Sequence, residues 1–246
     1  MGKYKLLAMD MDGTFLTQDN RISAENRAAV TAAAAAGVTV MFATGRGIGN
    51  VLPYVEELQL DTPIVTVNGS EVWTAPGILH SRTLLDTTLF LEMHAIALEY
   101  ETWYWANAVN ERFDKKNWTD QMESKQWLKF AYHCEDAERL QAICTRLELR
   151  NDALEISNSN LFNLEINAKG VNKVNGVRKV CALLGIEMSQ VVAIGDGLND
   201  DAMIREAGLG VAMGNAQDRI IQSADVVTGT NQEHGVASMI QQFILS

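Results

Sequence analysis

Two aspartates one residue apart, Asp10 and Asp12, directly follow the apolar run Leu6–Met9. The run predicts a buried strand, and side chains alternate along a strand, so both carboxylates are expected to project the same way from its end. Gly13 then permits a sharp turn. Carboxylates this close repel each other, and a shared proton or a bound cation relieves the repulsion. The alternative is an acidic turn after an edge strand.

A second apolar run, Val38–Ala43, leads into Thr44-Gly45-Arg46. A hydroxyl, a glycine amide and the N-terminus of the next helix suit a phosphate oxygen at the end of a strand. The alternative is that Thr44 only caps that helix. Lys173 opens a later helix, where the helix dipole disfavours a cation. A nearby anion or simple solvent exposure explains it equally well.

A third apolar run, Val191–Ile194, ends in the segment Gly195–Asp201, which holds three aspartates and an asparagine between glycines. Oxygen ligands in this density are what a hard cation requires. The alternative is a helix N-terminus enriched in acids, which Asp200 and Asp201 satisfy but which leaves Asp196 unexplained. Together the three strand ends predict a polar site at one edge of a sheet.

The elements that position these residues alternate between strand and helix at both ends of the chain, which predicts βαβ units in a parallel sheet covered on both faces. Between them lies a segment of mixed α+β character, in which residues 107–125 read as polar and irregular. We therefore predict an α/β fold: a doubly wound Rossmann-like parallel sheet with an inserted α+β domain. Residues 1–82 and 167–246 are assigned to the core domain and residues 83–166 to the insertion.

The composition and net charge of the chain exclude some classes of binding partner. The chain has 246 residues and a formal net charge of −11, which argues against nucleic acid or an anionic membrane as partner. A small anionic substrate remains compatible, because a bound cation inverts the local field. No apolar stretch suggests a membrane span or an export signal, so the cytoplasm is the expected compartment. No feature of the sequence sets an oligomeric state.

At these motifs the chain resembles the haloacid dehalogenase-like superfamily, and within it the Cof-type branch of sugar-phosphate and cofactor phosphatases. Met9–Thr14 resembles the first motif, Thr44 the second, Lys173 the third and Gly195–Asp200 the fourth. Three further segments also resemble Cof-type sequences: Val67–Gly69, Ala207–Ala216 and Ala224–Thr228. The insertion resembles the branch in position and type, as its larger α/β cap domain.

Two positions depart from the branch. Asn172 and Val174 flank Lys173 where Ser and Gly are usual, and Asp201 stands where an aliphatic residue is usual. The second departure leaves the other acids of that segment in place.

The resemblance implies a phosphatase that hydrolyses small phosphomonoesters, such as sugar phosphates or phosphorylated cofactors, through an aspartyl-phosphate. Asp10 is the implied nucleophile, and Asp12 the implied general acid and base. The implied cofactor is Mg²⁺, held by Asp10, the main-chain carbonyl of Asp12 and Asp196, with Asp200 orienting its waters. The implied ligands of the phosphoryl oxygens are Thr44, the amide of Gly45, Lys173 and Asn199.

Two other functions share parts of this pattern. A phosphosugar mutase of the same superfamily has similar motifs and a similar cap. A phospho-accepting receiver domain also gathers acids, Thr and Lys at strand ends, but it is about half this length and has no inserted domain. Asp12 favours a phosphatase over a dehalogenase, which lacks this second acid.

The insertion offers candidate substrate contacts. Trp103 and Trp105 share one face of a predicted strand. They are expected to form the core of the small domain, and stacking on a substrate ring is the alternative. Arg112, Lys115 and Lys116 either lie in a solvated loop or meet a second anionic group of the substrate.

Overall fold

The computed structural model describes residues 2–246. The strands are β1 (Leu6–Met9), β2 (Thr39–Phe42), β3 (Ile64–Thr66), β4 (Glu71–Ala75), β5 (Ile78–Arg82), β6 (Trp103–Ala108), β7 (Glu111–Asp114), β8 (Trp127–His133), β9 (Leu154–Ser157), β10 (Asn163–Ala168), β11 (Val191–Gly195), β12 (Leu209–Ala212) and β13 (Val226–Val227). The helices are α1 (Ala24–Ala35), α2 (Leu52–Glu57), α3 (Thr87–Glu99), α4 (Ala137–Glu148), α5 (Lys173–Leu184), α6 (Asp201–Glu206), α7 (Asp218–Ser223) and α8 (Gly235–Phe243).

Five parallel strands form the first sheet, in the order β13-β12-β11-β1-β2. The three central strands are fully apolar and buried, as expected for a sheet with helices on both faces. A parallel bridge between Ala43 and Val65 connects this sheet to the antiparallel sheet β3-β4-β5. The predicted fold class is confirmed. The carboxyl ends of β1, β2 and β11 meet at one edge, where Asp10, Thr44 and Asp196 follow them.

A second five-stranded sheet, entirely antiparallel, has the order β7-β6-β8-β10-β9. Its strands alternate between two faces. Apolar side chains such as Tyr104, Phe130 and Ile166 belong to one buried cluster with residues of α3 and α4. The opposite face carries polar residues and turns toward the carboxyl edge of the parallel sheet, as the cavity described below shows.

The structure corrects two predictions for this region. Residues 107–125 are not irregular throughout, because β7 pairs with β6 in a hairpin within them. Trp103 and Trp105 do not form the core: both are only half-buried, while Tyr104 between them is buried. The strand alternation does put both tryptophans on one face, but that face is the polar one, because α3 and α4 cover the other.

Helix ends follow local chemistry. Ser23 caps α1 by accepting a hydrogen bond from the amide of Asn26, and Asp86 and Asp136 cap α3 and α4 in the same way. None of the helices within residues 2–246 has the length and apolar character that a membrane crossing needs.

Candidate active site

Asp10 lies at the carboxyl end of β1 and is almost completely buried. Its Oδ1 atom accepts a hydrogen bond from Nζ of Lys173 at 2.5 Å, and the same ammonium donates to Oδ1 of Asp200 at 2.7 Å. Lys173 begins α5 and has no exposed surface. Its unfavourable place in the first turn is therefore explained by two carboxylates, not by solvent.

Asp12 has a different environment. Its side chain is 53% exposed and forms a bidentate ion pair with Arg46, in which Nε donates to Oδ2 at 2.8 Å. Arg46 also donates to Oδ1 of Asn20 at 2.6 Å and to the hydroxyl of Tyr54 at 3.3 Å. Asp10 and Asp12 both line the same cavity. Asp10 and Asp12 thus have separate cationic partners.

The segment after β11 brings two more acids to this edge. Oδ1 of Asp196 accepts a hydrogen bond from the hydroxyl of Thr14 at 3.0 Å. Oδ2 of Asp200 accepts from the amides of Asp196 and Gly197, both at 3.2 Å. Since its other oxygen is bound by Lys173, Asp200 fixes the turn that carries Asp196.

Carboxylate oxygens of Asp10, Asp196 and Asp200 lie within 4.8 Å of one another, and we call these residues the acid cluster. Burial and then repulsion from Asp200 raise the pKa of Asp196 to about 7. Burial raises the pKa of Asp10 well above its ordinary value, although Lys173 attracts the negative charge. Burial alone would lower the pKa of Lys173, but Asp10 and Asp200 raise it. Crowded carboxylate oxygens with one ammonium between them fit a hard divalent cation such as Mg²⁺.

Gly13 allows the chain to turn beside the acid cluster. Its φ of +77° is in the left-handed region, and a Cβ atom at this position would lie 2.3 Å from Oδ2 of Asp196. Both the turn and the close approach of the main chain to Asp196 therefore require glycine.

The four predicted phosphoryl ligands divide into two pairs. Gly45 and Asn199 line the cavity, whereas Thr44 and Lys173 are fully buried and do not. The Oγ1 atom of Thr44 accepts a hydrogen bond from the amide of Arg46 at 3.2 Å. Its hydroxyl proton has no acceptor among the described residues, although the side chain has no exposed surface.

The cavity has a volume of about 620 Å³ and lies between the parallel sheet and the polar face of the antiparallel sheet. Trp105 and Arg112 line it, but Lys115 and Lys116 do not. Lys115 donates to the main-chain oxygen of Thr102 at 3.1 Å, and Lys116 lies over the ring of Trp103. Of the three predicted cations, only Arg112 therefore reaches the cavity.

Sequence reasoning assigned no role to several residues that line this cavity. Arg46 appeared only as part of a strand end, although it is the partner of Asp12. Lys129 and Glu165 form a buried ion pair at 2.8 Å. A lysine inside the mainly apolar strand β8 and a glutamate on the polar side of the alternating strand β10 were the signals that could have identified this pair.

Asn68 is a further residue without a predicted role. Its φ is 56°, and that of Val67 is 50°, so two consecutive non-glycine residues have left-handed backbone. Such strain is costly, above all for a β-branched residue, and it concentrates at functional sites. The turn places the Asn68 amide group against Glu165, with its Nδ2 atom donating to Oε2 at 2.7 Å.

The two departures from the family pattern leave the site intact. Asn172 caps α5 by accepting from the amide of Asn175 at 3.0 Å. Asp201 accepts from the hydroxyl of Ser223 at 2.8 Å and pairs with Arg205 at 3.1 Å, outside the acid cluster.

Comparisons with known proteins identify the family of the chain. A family model described as haloacid dehalogenase-like hydrolase matches residues 7–240. The 5-amino-6-(5-phospho-D-ribitylamino)uracil phosphatase YcsE of Bacillus subtilis is 42% identical over 241 residues, which are 98% of this chain and 96% of that protein. The pyridoxal phosphate phosphatase YbhA of Escherichia coli is 26% identical over 98% of this chain and 99% of its own length.

The comparison with solved structures points to the same family. A haloacid dehalogenase-like hydrolase from Bacillus subtilis superposes with a TM-score of 0.89 at 26% identity, over 97% of this chain and 99% of that one. The family match spans all four motifs and nearly the whole chain. The protein is therefore a member of the haloacid dehalogenase-like hydrolases and, among them, of the Cof-type phosphatases.

Proposed function

We propose that this phosphatase hydrolyses small phosphomonoesters in two steps, through an aspartyl-phosphate on Asp10, and that it depends on Mg²⁺. The observation that carries the proposal is the position of Asp10. It lines the cavity, its Oδ1 atom is held by Lys173, and no hydrogen bond to its Oδ2 atom is recorded in the described chain. One oxygen of a positioned carboxylate is thus available as nucleophile.

In the first step, Oδ2 of Asp10 attacks phosphorus in line, and the bond from phosphorus to the ester oxygen breaks. Asp12 donates a proton to the leaving alkoxide. Its ion pair with Arg46 has to open for this transfer, because the paired carboxylate has no proton to give. The half-exposed position of Asp12 leaves room for that movement.

In the second step, the Asp12 carboxylate accepts a proton from water, which attacks phosphorus and displaces the Asp10 carboxylate as inorganic phosphate forms. Negative charge on the phosphoryl oxygens is stabilised by the ammonium of Lys173 and by hydrogen bonds from Thr44, the amide of Gly45 and Asn199. The positive charge of Lys173 is secured by its two carboxylate partners.

Asp10, Asp196 and the main-chain carbonyl of Asp12 are the proposed Mg²⁺ ligands, with Asp200 holding the turn and orienting waters. When bound, Mg²⁺ offsets the repulsion within the acid cluster and the charge of the phosphoryl group. Support comes from the carboxylate oxygens gathered within 4.8 Å.

We also propose that residues 1–82 and 167–246 form the catalytic core and residues 83–166 the cap. The cavity lies between residues of both parts, so substrate entry and product release require them to separate. Half-buried Trp105 offers a flat apolar surface on the cap side, and Arg112 a cation.

The substrate is proposed to be a small phosphorylated metabolite with a polar, ring-containing leaving group, in keeping with Trp105 and Arg112. The net charge of −11 disfavours nucleic acid and anionic membranes as partners, and we place the enzyme in the cytoplasm. The first compound to assay is 5-amino-6-(5-phospho-D-ribitylamino)uracil, on which the relative with 42% identity is named to act.

The purified protein is expected to release inorganic phosphate from p-nitrophenyl phosphate only when Mg²⁺ is present. In a panel of phosphorylated metabolites, one compound is expected to be hydrolysed faster than p-nitrophenyl phosphate. Release without any bisphosphate activator separates hydrolysis from the mutase alternative, which returns the phosphoryl group to substrate. No Mg²⁺-dependent release from any compound contradicts the proposal.

Gly13→Ala tests the approach of the main chain to Asp196. We expect the free energy of unfolding to fall by about 1–2 kcal/mol, the cost of left-handed backbone for a residue with Cβ, and phosphatase activity to fall at least about tenfold because Asp196 is displaced. Gly77→Ala is the matched control, since its φ is +79° and nothing lies within 4 Å of the added Cβ. Urea unfolding measures the stability of each variant, and initial rates measure its activity. Equal activity in the two variants contradicts the inference that the close approach of Gly13 to Asp196 requires glycine.

A further inference from the structure

The ion pair of Lys129 and Glu165, which we call the cap pair, lies on the polar face of the antiparallel sheet. The two side chains are 4% and 6% exposed. Lys129 is in β8 and Glu165 in the neighbouring β10, so the pair belongs entirely to the proposed cap. Burial alone would raise the pKa of Glu165, but attraction from Lys129 and hydrogen bonds from Lys129, Asn68 and Ser159 lower it.

The cap pair contacts the core at the loops that follow β2 and β3. Nζ of Lys129 donates to the main-chain oxygen of Gly45 at 2.9 Å. Oε2 of Glu165 accepts from Nδ2 of Asn68 at 2.7 Å. The packing is close, because a Cβ atom on Gly45 would lie 3.0 Å from Asn68, 3.2 Å from Glu165 and 3.3 Å from Lys129.

The contact at Gly45 continues to Thr44 through a single peptide group. The Gly45 carbonyl that accepts from Lys129 is bonded to the amide nitrogen of Arg46, and that amide donates to Oγ1 of Thr44 at 3.2 Å. A hydrogen bond to a peptide oxygen polarises the peptide and strengthens the bond that its N–H makes. Because the Thr44 oxygen accepts here, its hydroxyl proton is directed elsewhere.

The contact at Asn68 continues to Asn199. Oδ1 of Asn68 accepts from Nδ2 of Asn199 at 3.3 Å, and the amide of Asn68 donates to the main-chain oxygen of Thr44 at 2.9 Å. Two short hydrogen-bond chains thus connect the cap pair with Thr44 and Asn199.

We infer that Lys129 and Glu165 are positioning residues that align the phosphoryl-binding groups when the cap is seated on the core. The inference rests on the proposed function, in which Thr44 and Asn199 bind phosphoryl oxygens. The cap then has to contact the core before the phosphoryl group can be stabilised, and this holds for every substrate, irrespective of its leaving group. A buried ion pair is weak evidence for stability, since apolar replacements often fold equally well, and this favours a positioning role.

The test is a double-mutant cycle in which the cap pair and the Thr44 hydroxyl are removed separately and together. Each variant is measured by its kcat/KM with p-nitrophenyl phosphate and by its inhibition by orthovanadate. K129M/E165M removes both charges together, so that no unpaired charge remains buried. We expect it to lower kcat/KM about 10–100-fold, the usual cost of losing groups that orient ligand-binding residues, and to weaken orthovanadate inhibition by a similar factor. R146M/E99M, an exposed pair between α3 and α4, is the control and should match wild type.

Thr44→Val supplies the other half of the cycle. Independent effects multiply, so K129M/E165M and Thr44→Val combined would lower kcat/KM by the product of their separate losses. If the cap pair acts through the Thr44 hydroxyl, the loss in this triple variant is smaller than that product by at least about threefold, which exceeds the roughly twofold error of additivity. A smaller shortfall overturns the inference, as does a change in KM with unchanged orthovanadate inhibition.

K129Q/E165Q is neutral but can still donate to Gly45 and accept from Asn68. We therefore expect it to recover much of the kcat that K129M/E165M loses. It also tests the inference if K129M/E165M does not fold. Equal losses in both pairs contradict a role through these hydrogen bonds. An inactive wild type would contradict the proposed function, whereas an active wild type with multiplicative losses contradicts only the positioning role.

Discussion

Asp10→Asn is expected to lower kcat/KM at least about 10⁴-fold, since removal of a nucleophile costs this much or more in enzymes with covalent intermediates. The amide has the size of the carboxyl group and retains an acceptor for Lys173, so the variant should fold. Initial rates with saturating Mg²⁺ give the loss. Mass spectrometry of acid-quenched wild type should find a phosphoryl group on the peptide that contains Asp10.

The control for this variant is Asp152→Asn, the same chemical change in an exposed turn after α4. It should retain wild-type rates. An Asp10→Asn variant that keeps more than about a tenth of the wild-type activity contradicts the covalent step on Asp10, because the reaction then proceeds without the proposed nucleophile. A quenched wild type phosphorylated on another residue assigns the nucleophile elsewhere.

The place of the site could be predicted because it depends on topology. Apolar runs at Leu6–Met9, Val38–Ala43 and Val191–Ile194 indicate parallel strands, and parallel strands bring their carboxyl ends to one edge. The residues after these runs therefore had to meet, whatever the detailed geometry. The alternation of strands and helices placed Lys173 at the start of a helix, where a nearby anion and solvent exposure explained it equally well.

The covered face of the antiparallel sheet and the partners of individual charged side chains could not be predicted in the same way. Strand alternation shows that Trp103 and Trp105 share a face, but which face is covered depends on where α3 and α4 pack. The partner of Asp12 is 34 residues away in sequence and that of Lys129 is 36. Neither pair joins the two sheets, because Asp12 and Arg46 lie in the loops after β1 and β2, and Lys129 and Glu165 lie on the neighbouring strands β8 and β10. Such pairs follow from the order in which the strands pair, which no local pattern in the chain encodes.

Removal of the metal is the second change with a large expected effect. Chelation with EDTA should abolish phosphate release, and Mg²⁺ should restore it, because a bound cation contributes several kcal/mol of charge stabilisation, or about 10²-fold and more in rate. Asp196→Asn should raise the Mg²⁺ concentration for half-maximal activity at least about tenfold. The physical reason is that Asp196 is one of the three acids whose carboxylate oxygens lie within 4.8 Å of one another, so its loss removes a charged ligand from the proposed metal site.

Thermal unfolding gives a readout that does not depend on turnover. At about 100 times its dissociation constant, Mg²⁺ adds about 2.7 kcal/mol to the stability of the folded state, which corresponds to roughly 5–10 °C in a chain of this size. Asp196→Asn should lose most of this shift. Asp201→Asn, in the same segment but paired with Arg205, should unfold somewhat earlier yet keep the full Mg²⁺ shift. Equal loss in both variants would place the cation outside the acid cluster, and no shift in wild type would remove Mg²⁺ from the reaction, since a ligand that binds only the folded state must stabilise it.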